Sequence, residues 1–206
     1  MRAFLALLRW GGVAVILAAI VAQVKVLGDA GRLDAVNFLS FFTIQSNLIG
    51  AVALAAIALR GDQRPRWVDW LRGAATVYLT ITFVVVIALL QGIDVGLQLA
   101  WVDFALHKLS PVIVVLDFVL DPPRTRLSTR DALLWLVYPL IWLAYTLVRG
   151  AAVGWYPYPF LDPTDAGGYG SVAVTCLVIV VAGAVLSLAV AWLGNRLRST
   201  PSRAPA

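Results

Sequence analysis

Ser171-Val-Ala-Val-Thr-Cys-Leu-Val-Ile-Val-Val-Ala-Gly-Ala-Val-Leu-Ser-Leu-Ala-Val-Ala-Trp-Leu193 contains no charged side chain. Wound as a helix at 1.5 Å per residue, a run of this length measures about 34 Å, enough to cross a hydrocarbon core of about 30 Å. A closed barrel would need short strands of alternating polarity, and this run is unbroken. Five further apolar stretches share its character, at about 10–26, 36–59, 71–91, 99–120 and 132–148. Polar or turn-rich breaks separate them, notably 60–70 and 121–131. The expected fold is therefore all-α: a polytopic membrane protein, a bundle of about six transmembrane helices forming a single transmembrane domain over 1–206.

Composition agrees. Of 206 residues, 61% are hydrophobic and 13% charged, whereas soluble domains carry about a quarter charged residues. The mean hydropathy is +0.88. No stretch reads as a separate soluble domain, and there is no internal repeat. Arg2 and Arg9 ahead of the apolar run 11–22 also fit a cleavable signal peptide. Lys25 ends that run without a compact small-residue cleavage site, so a retained helix is the expectation. Were it cleaved, the other five spans would keep their orientation.

The net charge of +5 does not point to nucleic acid, because the basic residues flank apolar spans rather than forming a stripe. If all six segments cross, Arg2, Arg9, Arg60, Arg64, Arg66, Arg72, Arg124, Arg126, Arg130, Arg196, Arg198 and Arg203 fall on one side. Lys25, Arg32 and Arg149 fall on the other, and Lys108 lies in or near the fourth span. This asymmetry predicts a cell-membrane protein with both termini cytoplasmic and the loops 27–35, 92–98 and 149–170 facing outward. Cys176, the single cysteine, sits in an apolar run and reads as a small packing residue.

Polar groups inside a bilayer cost free energy unless paired, so their placement is informative. In the second span Ser40, Thr43 and Asn47 share one face of a continuous helix. The fourth carries Asp103, His107, Ser110, Val114 and Asp117 along one face, and His107 is the only histidine. Such residues serve commonly as interhelical hydrogen-bonding groups. Both spans run inward, however, and helical rise puts Thr43 and His107 at similar depths, roughly 10 Å below the outer boundary. A hydroxyl becomes a competent nucleophile when a base takes its proton, and histidine, with an unperturbed pKa of about 6.5, suits that role. Asp103, one turn before His107, reads either as a group that orients the imidazole or as a residue of the outer interface.

In the fifth span Tyr138, Trp142, Tyr145 and Arg149 recur at helical spacing and read as interfacial or packing residues. The loop Gly154-Trp-Tyr-Pro-Tyr-Pro-Phe-Leu-Asp162 reads either as an aromatic belt or as a lid or mouth for an amphiphile. One histidine, one cysteine and scattered aspartates make no metal first shell, so no metal is expected. No phosphate loop, G-x-S-x-G elbow or dinucleotide fingerprint is present, and no cofactor is expected.

Three segments together resemble the androgen-induced and androgen-dependent membrane protein family, and its six-span bacterial relatives. They are Phe41-Phe-Thr43-Ile-Gln-Ser-Asn-Leu-Ile-Gly-Ala51-Val52, His107-Lys-Leu-Ser-Pro111, and Trp155-Tyr-Pro-Tyr158-Pro159-Phe160-Leu161-Asp162. They occur in the family's order across spans two to six, although the proline stands one residue closer to the histidine here. The resemblance implies a hydrolase of fatty acid esters of hydroxy fatty acids, with Thr43 as nucleophile and His107 as its base. Ser40 also fits the Phe-Leu-hydroxyl pattern and leaves the nucleophile's register open. Asn47, Asp103, Ser110, Tyr156 and Tyr158 are candidates for support or substrate binding, with Asn47 or Ser110 near a reacting carbonyl. Membrane lipids and an amphiphilic lipid ester are the expected partners, without nucleic acid. The competing readings are a small-molecule transporter or lipid-binding protein without catalysis, and a structural partner.

Overall fold

The computed structural model describes residues 1–90, 92 and 99–198. These form α1 (Arg2–Asp29), α2 (Ala35–Ser40), α3 (Phe42–Arg60), α4 (Arg66–Leu89), α5 (Ala100–Phe104), α6 (Ser110–Leu120), α7 (Thr129–Trp135), α8 (Val137–Val153) and α9 (Tyr169–Leu197), with no strand among the described residues. Five stretches are long and apolar enough to cross a membrane: Arg2–Asp29, Phe42–Gln63, Arg66–Leu89, Thr129–Val153 and Tyr169–Leu197. The segment read from sequence as the fourth span, Ala100 to Leu120, is helical throughout, with α5 and α6 joined by a π-helical turn, Ala105–Leu109, but it carries Asp103, Lys108 and Asp117 and falls short of that measure. The chain is an all-α, multi-pass membrane protein. Most of the expected 92–98 loop, and Arg203, lie outside the described residues.

Helices overrun the apolar cores read from sequence, because polar flanks extend α1 back to Arg2 and α9 on to Leu197. The ends sort into two sets. Arg2 and Arg124 both pair with Asp62. Asn195 at the end of α9 hydrogen-bonds the backbone of Leu127 in both directions. The start of α1, the turns 61–65 and 121–128, and the end of α9 therefore share one end of the bundle, termed the basic end. The turns 30–34 and 154–168 lie at the other, distal end.

Helices approach closely where side chains are small, the usual device when lipid supplies no hydrophobic drive between helices. A Cβ on Gly12 would meet Leu54 at 2.8 Å and Ile113 at 2.9 Å, and one on Gly50 would meet Leu79 at 2.7 Å. Ile16, Leu54, Leu79, Leu106 and Val114 are buried in the core that results between α1, α3, α4 and the fourth span.

The basic end holds a buried ionic cluster. Arg9 Nε lies 2.6 Å from one Asp117 oxygen and Arg72 Nη2 2.7 Å from the other. Arg64 reaches Asp69 and Asp121, each at 2.7 Å, and Arg9 also contacts Asp121. Burial alone would raise the Asp121 carboxyl, but hydrogen bonds and charge from Arg64, then Arg9 and Arg72, hold it below its ordinary value. Three arginines thus meet three aspartates and cancel. Arg9, Arg64 and Arg72, read from sequence as charges flanking the spans, are thus tied into a buried cluster. Asp117 lies buried in the fourth span along with His107, Ser110 and Val114, but its carboxylate is taken up by Arg9 and Arg72 at the basic end.

Candidate active site

The second span is not one continuous helix. Phe41, at φ −67° and ψ 126°, is extended and separates α2 from α3. A break at membrane depth exposes backbone groups that water cannot satisfy, and neighbouring side chains must do so. Gln45 Nε2 donates to Leu39 O at 2.6 Å, and Trp142 Nε1 donates to Ser40 O at 2.9 Å. The Tyr138 hydroxyl donates to the Gln45 side chain, and Arg149 donates to Asn37 Oδ1 at 2.6 Å. The α8 residues expected to be interfacial thus brace this break. Their spacing of 3–4 residues delivers all of them to the same face.

The break puts Thr43 in the first turn of α3, where backbone N–H groups lack intrahelical acceptors and the helix dipole is positive. The fourth span is distorted as well. Pro111 has no N–H to give the carbonyl four residues back, which is that of His107, and its ring crowds the same carbonyl. The helix widens there into the π turn that carries His107.

These two irregularities converge. Thr43 Oγ1 lies 3.1 Å from His107 Nε2, and His107 Nδ1 lies 2.7 Å from Asp103 Oδ1. With Asp103 ionised, the ring proton belongs on Nδ1, leaving Nε2 to accept from the threonine hydroxyl. Thr43 is 4% exposed and His107 1%. The Asp103 side chain stays 39% exposed, so the outer member of the chain reaches the protein surface while the inner two are buried.

Tyr158 completes the group. Its phenol oxygen lies 3.2 Å from Thr43 Oγ1 and accepts from the Thr43 N–H at 3.2 Å. The Phe42 N–H acts on the same oxygen more weakly. Burial, opposed by the Thr43 and Phe42 contacts, raises the phenol's pKa and keeps it protonated. Pro157 and Pro159 stiffen the loop on either side. Phe41 and Phe160 hold the ring at centroid distances of 5.7 and 5.4 Å. The distal loop thus folds inward rather than forming a belt.

The other candidates stand back from the hydroxyl. Asn47 Nδ2 donates to Thr43 O at 2.8 Å and Leu106 O at 3.0 Å, while the Ser110 hydroxyl donates to Asn47 Oδ1. They clamp α3 to the π turn, with their hydrogens turned to these partners rather than toward a carbonyl at Thr43. The Ser40 hydroxyl donates to Val36 O at 2.7 Å and neighbours the Tyr145 hydroxyl, on the far side of the break from Thr43. Ser40 and Thr43 therefore do not share a helical face, as a continuous span would require. Tyr156 packs over Gly150, where a Cβ would come within 2.1 Å of its ring.

Two clefts meet at Thr43 and Tyr158. A polar one at the distal end is lined by Gln23, Arg32, Asp34, Asn37, His107 and Trp155. An apolar one runs between α4, α8 and α9, past Val86, Leu140, Leu143, Cys176, Ile179 and Gly183. Sequence reading missed Gln23 and the groove. The signal for the first was an amide in the middle of an apolar run; the groove had none, because its walls read as ordinary lipid-facing helix. Among the described residues no group of histidine, cysteine and acidic side chains is arranged to hold a metal ion. Comparison with family models, with curated proteins and with solved structures finds no match.

Proposed function

We propose that this chain is an intramembrane hydrolase of amphiphilic lipid esters, with Thr43 as nucleophile, His107 as general base and Asp103 orienting the imidazole. The observation that carries the reading is the buried Thr43–His107 contact backed by Asp103. Resemblance to the hydrolases of fatty acid esters of hydroxy fatty acids points the same way. In this reading both termini lie in the cytoplasm of a cell-membrane protein and the polar cleft opens outward, an orientation that the excess of arginine at the basic end supports.

In this mechanism His107 Nε2 takes the Thr43 proton as Oγ1 attacks the ester carbonyl. Charge builds on the carbonyl oxygen, and the Tyr158 O–H receives it, its phenol oxygen polarised by the Thr43 N–H at the positive end of α3. The C–O bond to the alcohol breaks, and His107 returns its proton to the departing alkoxide. Water from the polar cleft, deprotonated by His107, then hydrolyses the threonine ester and releases the fatty acid.

Acid quenching during turnover of a branched lipid ester should trap the acyl group on the peptide containing Thr43, read by mass spectrometry. Steady turnover with no acyl adduct, or an adduct elsewhere, would overturn the mechanism. Tyr158→Phe removes that donor to the oxyanion and should lower kcat about 10²-fold with a smaller change in KM. An unchanged kcat removes Tyr158 from the chemistry.

The break at Phe41 favours one alternative, a carrier or lipid-binding protein, because discontinuous helices also build transport sites. Substrate flux in proteoliposomes without ester turnover would select it.

A further inference from the structure

The two clefts that meet at Thr43 and Tyr158 differ in kind. Among the described residues no charged side chain lines the one between α4, α8 and α9, and Ile81, Val86, Leu140, Leu143 and Ile179 form much of its wall. Helix α9 packs on α4 and α7, while α8 is drawn toward the break by Trp142 and Arg149. The seam between α8 and α9 is correspondingly loose, and Leu140 beside it is exposed.

Resting on the hydrolase reading above, we infer that this groove is the acyl-chain subsite, entered sideways from the bilayer between α8 and α9, and that Gly183 sets the chain length it accepts. Thr43 and Tyr158 line this groove as well as the polar cleft, so a chain lying in it brings its carbonyl within reach of Thr43. The polar remainder of the ester then falls in the cleft with Arg32, Asp34 and Asn37. Along α4 the lining runs from Leu90 to Ile81, about 13 Å at helical rise, and the Ser46–Thr82 hydrogen bond sets Thr43 partway along it, so the floor lies within that span of the nucleophile. At its far end a Cβ on Gly183 would meet Ile81 at 3.4 Å and Leu136 at 3.7 Å, so a larger side chain there occupies the floor.

Chain selection in such a site follows an unusual rule. Lipid tails are as apolar as the groove, so moving a methylene from bilayer to protein yields little hydrophobic gain. Each added carbon contributes little until the chain meets the floor, and beyond that point it is excluded by contact. Chain-length dependence should therefore be a cut-off rather than a steady rise.

Cys176 lines the same groove and is the only cysteine, which provides a readout independent of catalysis. In lipid nanodiscs, acetyl, decanoyl and octadecanoyl esters of one alcohol are compared between wild-type and Gly183→Leu protein. The ratio of kcat/KM for decanoyl over acetyl ester should fall roughly tenfold or more in the variant. In parallel, the decanoyl ether analogue should slow alkylation of Cys176 by N-ethylmaleimide in wild-type and in Thr43→Ala protein. In Gly183→Leu protein it should protect far less. An unchanged ester ratio, or alkylation indifferent to the ether in wild type, overturns the assignment. Protection of Cys176 without ester turnover supports the groove as a chain site and overturns the hydrolase reading instead.

Discussion

Thr43→Ala is expected to lower kcat/KM for a branched lipid ester by at least about 10³-fold, leaving only what binding and the oxyanion donor provide. The loss should fall on kcat, because the hydroxyl forms a bond only along the reaction path. His107→Ala should cost a similar factor, since among the described residues the buried threonine hydroxyl has no other acceptor of comparable basicity within hydrogen-bond reach. The Thr43→Ala/His107→Ala double variant should be little worse than either single one, because the two residues act as a unit. Thr43→Ser, which keeps the hydroxyl, should retain measurable turnover. Thermal unfolding in detergent separates chemistry from collapse: all of these variants should melt close to the wild type. Full activity in either alanine variant would remove the pair from the mechanism.

Asp117→Ala should have the largest effect on stability. Asp117 is 1% exposed and binds Arg9 through one oxygen and Arg72 through the other. Its removal leaves two buried guanidinium groups facing each other across the site of the lost carboxylate. Breaking a buried ionic network from one side typically costs about 3–5 kcal/mol. That is a large part of the 5–15 kcal/mol by which a typical domain is stable. The expected result is a steep loss of folded yield and a clearly lower melting temperature. Asp117→Asn should fall between, since the amide keeps the shape and one acceptor but loses the charge. The contrasting control is Asp62, which pairs with Arg2 and Arg124 at the exposed surface. Asp62→Ala should change the melting temperature little, as exposed pairs contribute about 0–1 kcal/mol. A wild-type melting temperature for Asp117→Ala would mean that water already screens the cluster.

Different parts of the site were legible in the sequence to different degrees. The His107–Asp103 contact was, because four residues along a helix is one turn and neighbours on that spacing touch. The Thr43–His107 approach was legible only as a permitted depth match, since residues 64 apart meet by packing rather than by local periodicity. The continuous face joining Ser40, Thr43 and Asn47 was misread because the extended residue at Phe41 has no glycine or proline to announce it. That break is held open by Gln45, Tyr138 and Trp142, and two of these belong to a helix far along the chain. The π turn had a local signal in Pro111, whose consequence for His107 became visible only in the folded helix.

The apolar run 171–193 and its five companions were sufficient to decide the all-α, multi-pass class. In hydrocarbon each backbone group must be satisfied within its own segment, so composition and length alone select helices. The collection of basic residues at one end was legible too, through the separate bias of Lys and Arg toward one side of a membrane. Neither signal decides which helices are neighbours, because lipid is as good an apolar environment as another helix and hydropathy carries no pairing information. Tertiary structure alone decided that Asp117 neutralises Arg9 and Arg72, that α8 holds the second span open, and that Tyr158 reaches Thr43. Each of these depends on small residues allowing close approach and on polar atoms finding partners across the bundle. Those interactions join positions distant in the chain, where no local pattern records them.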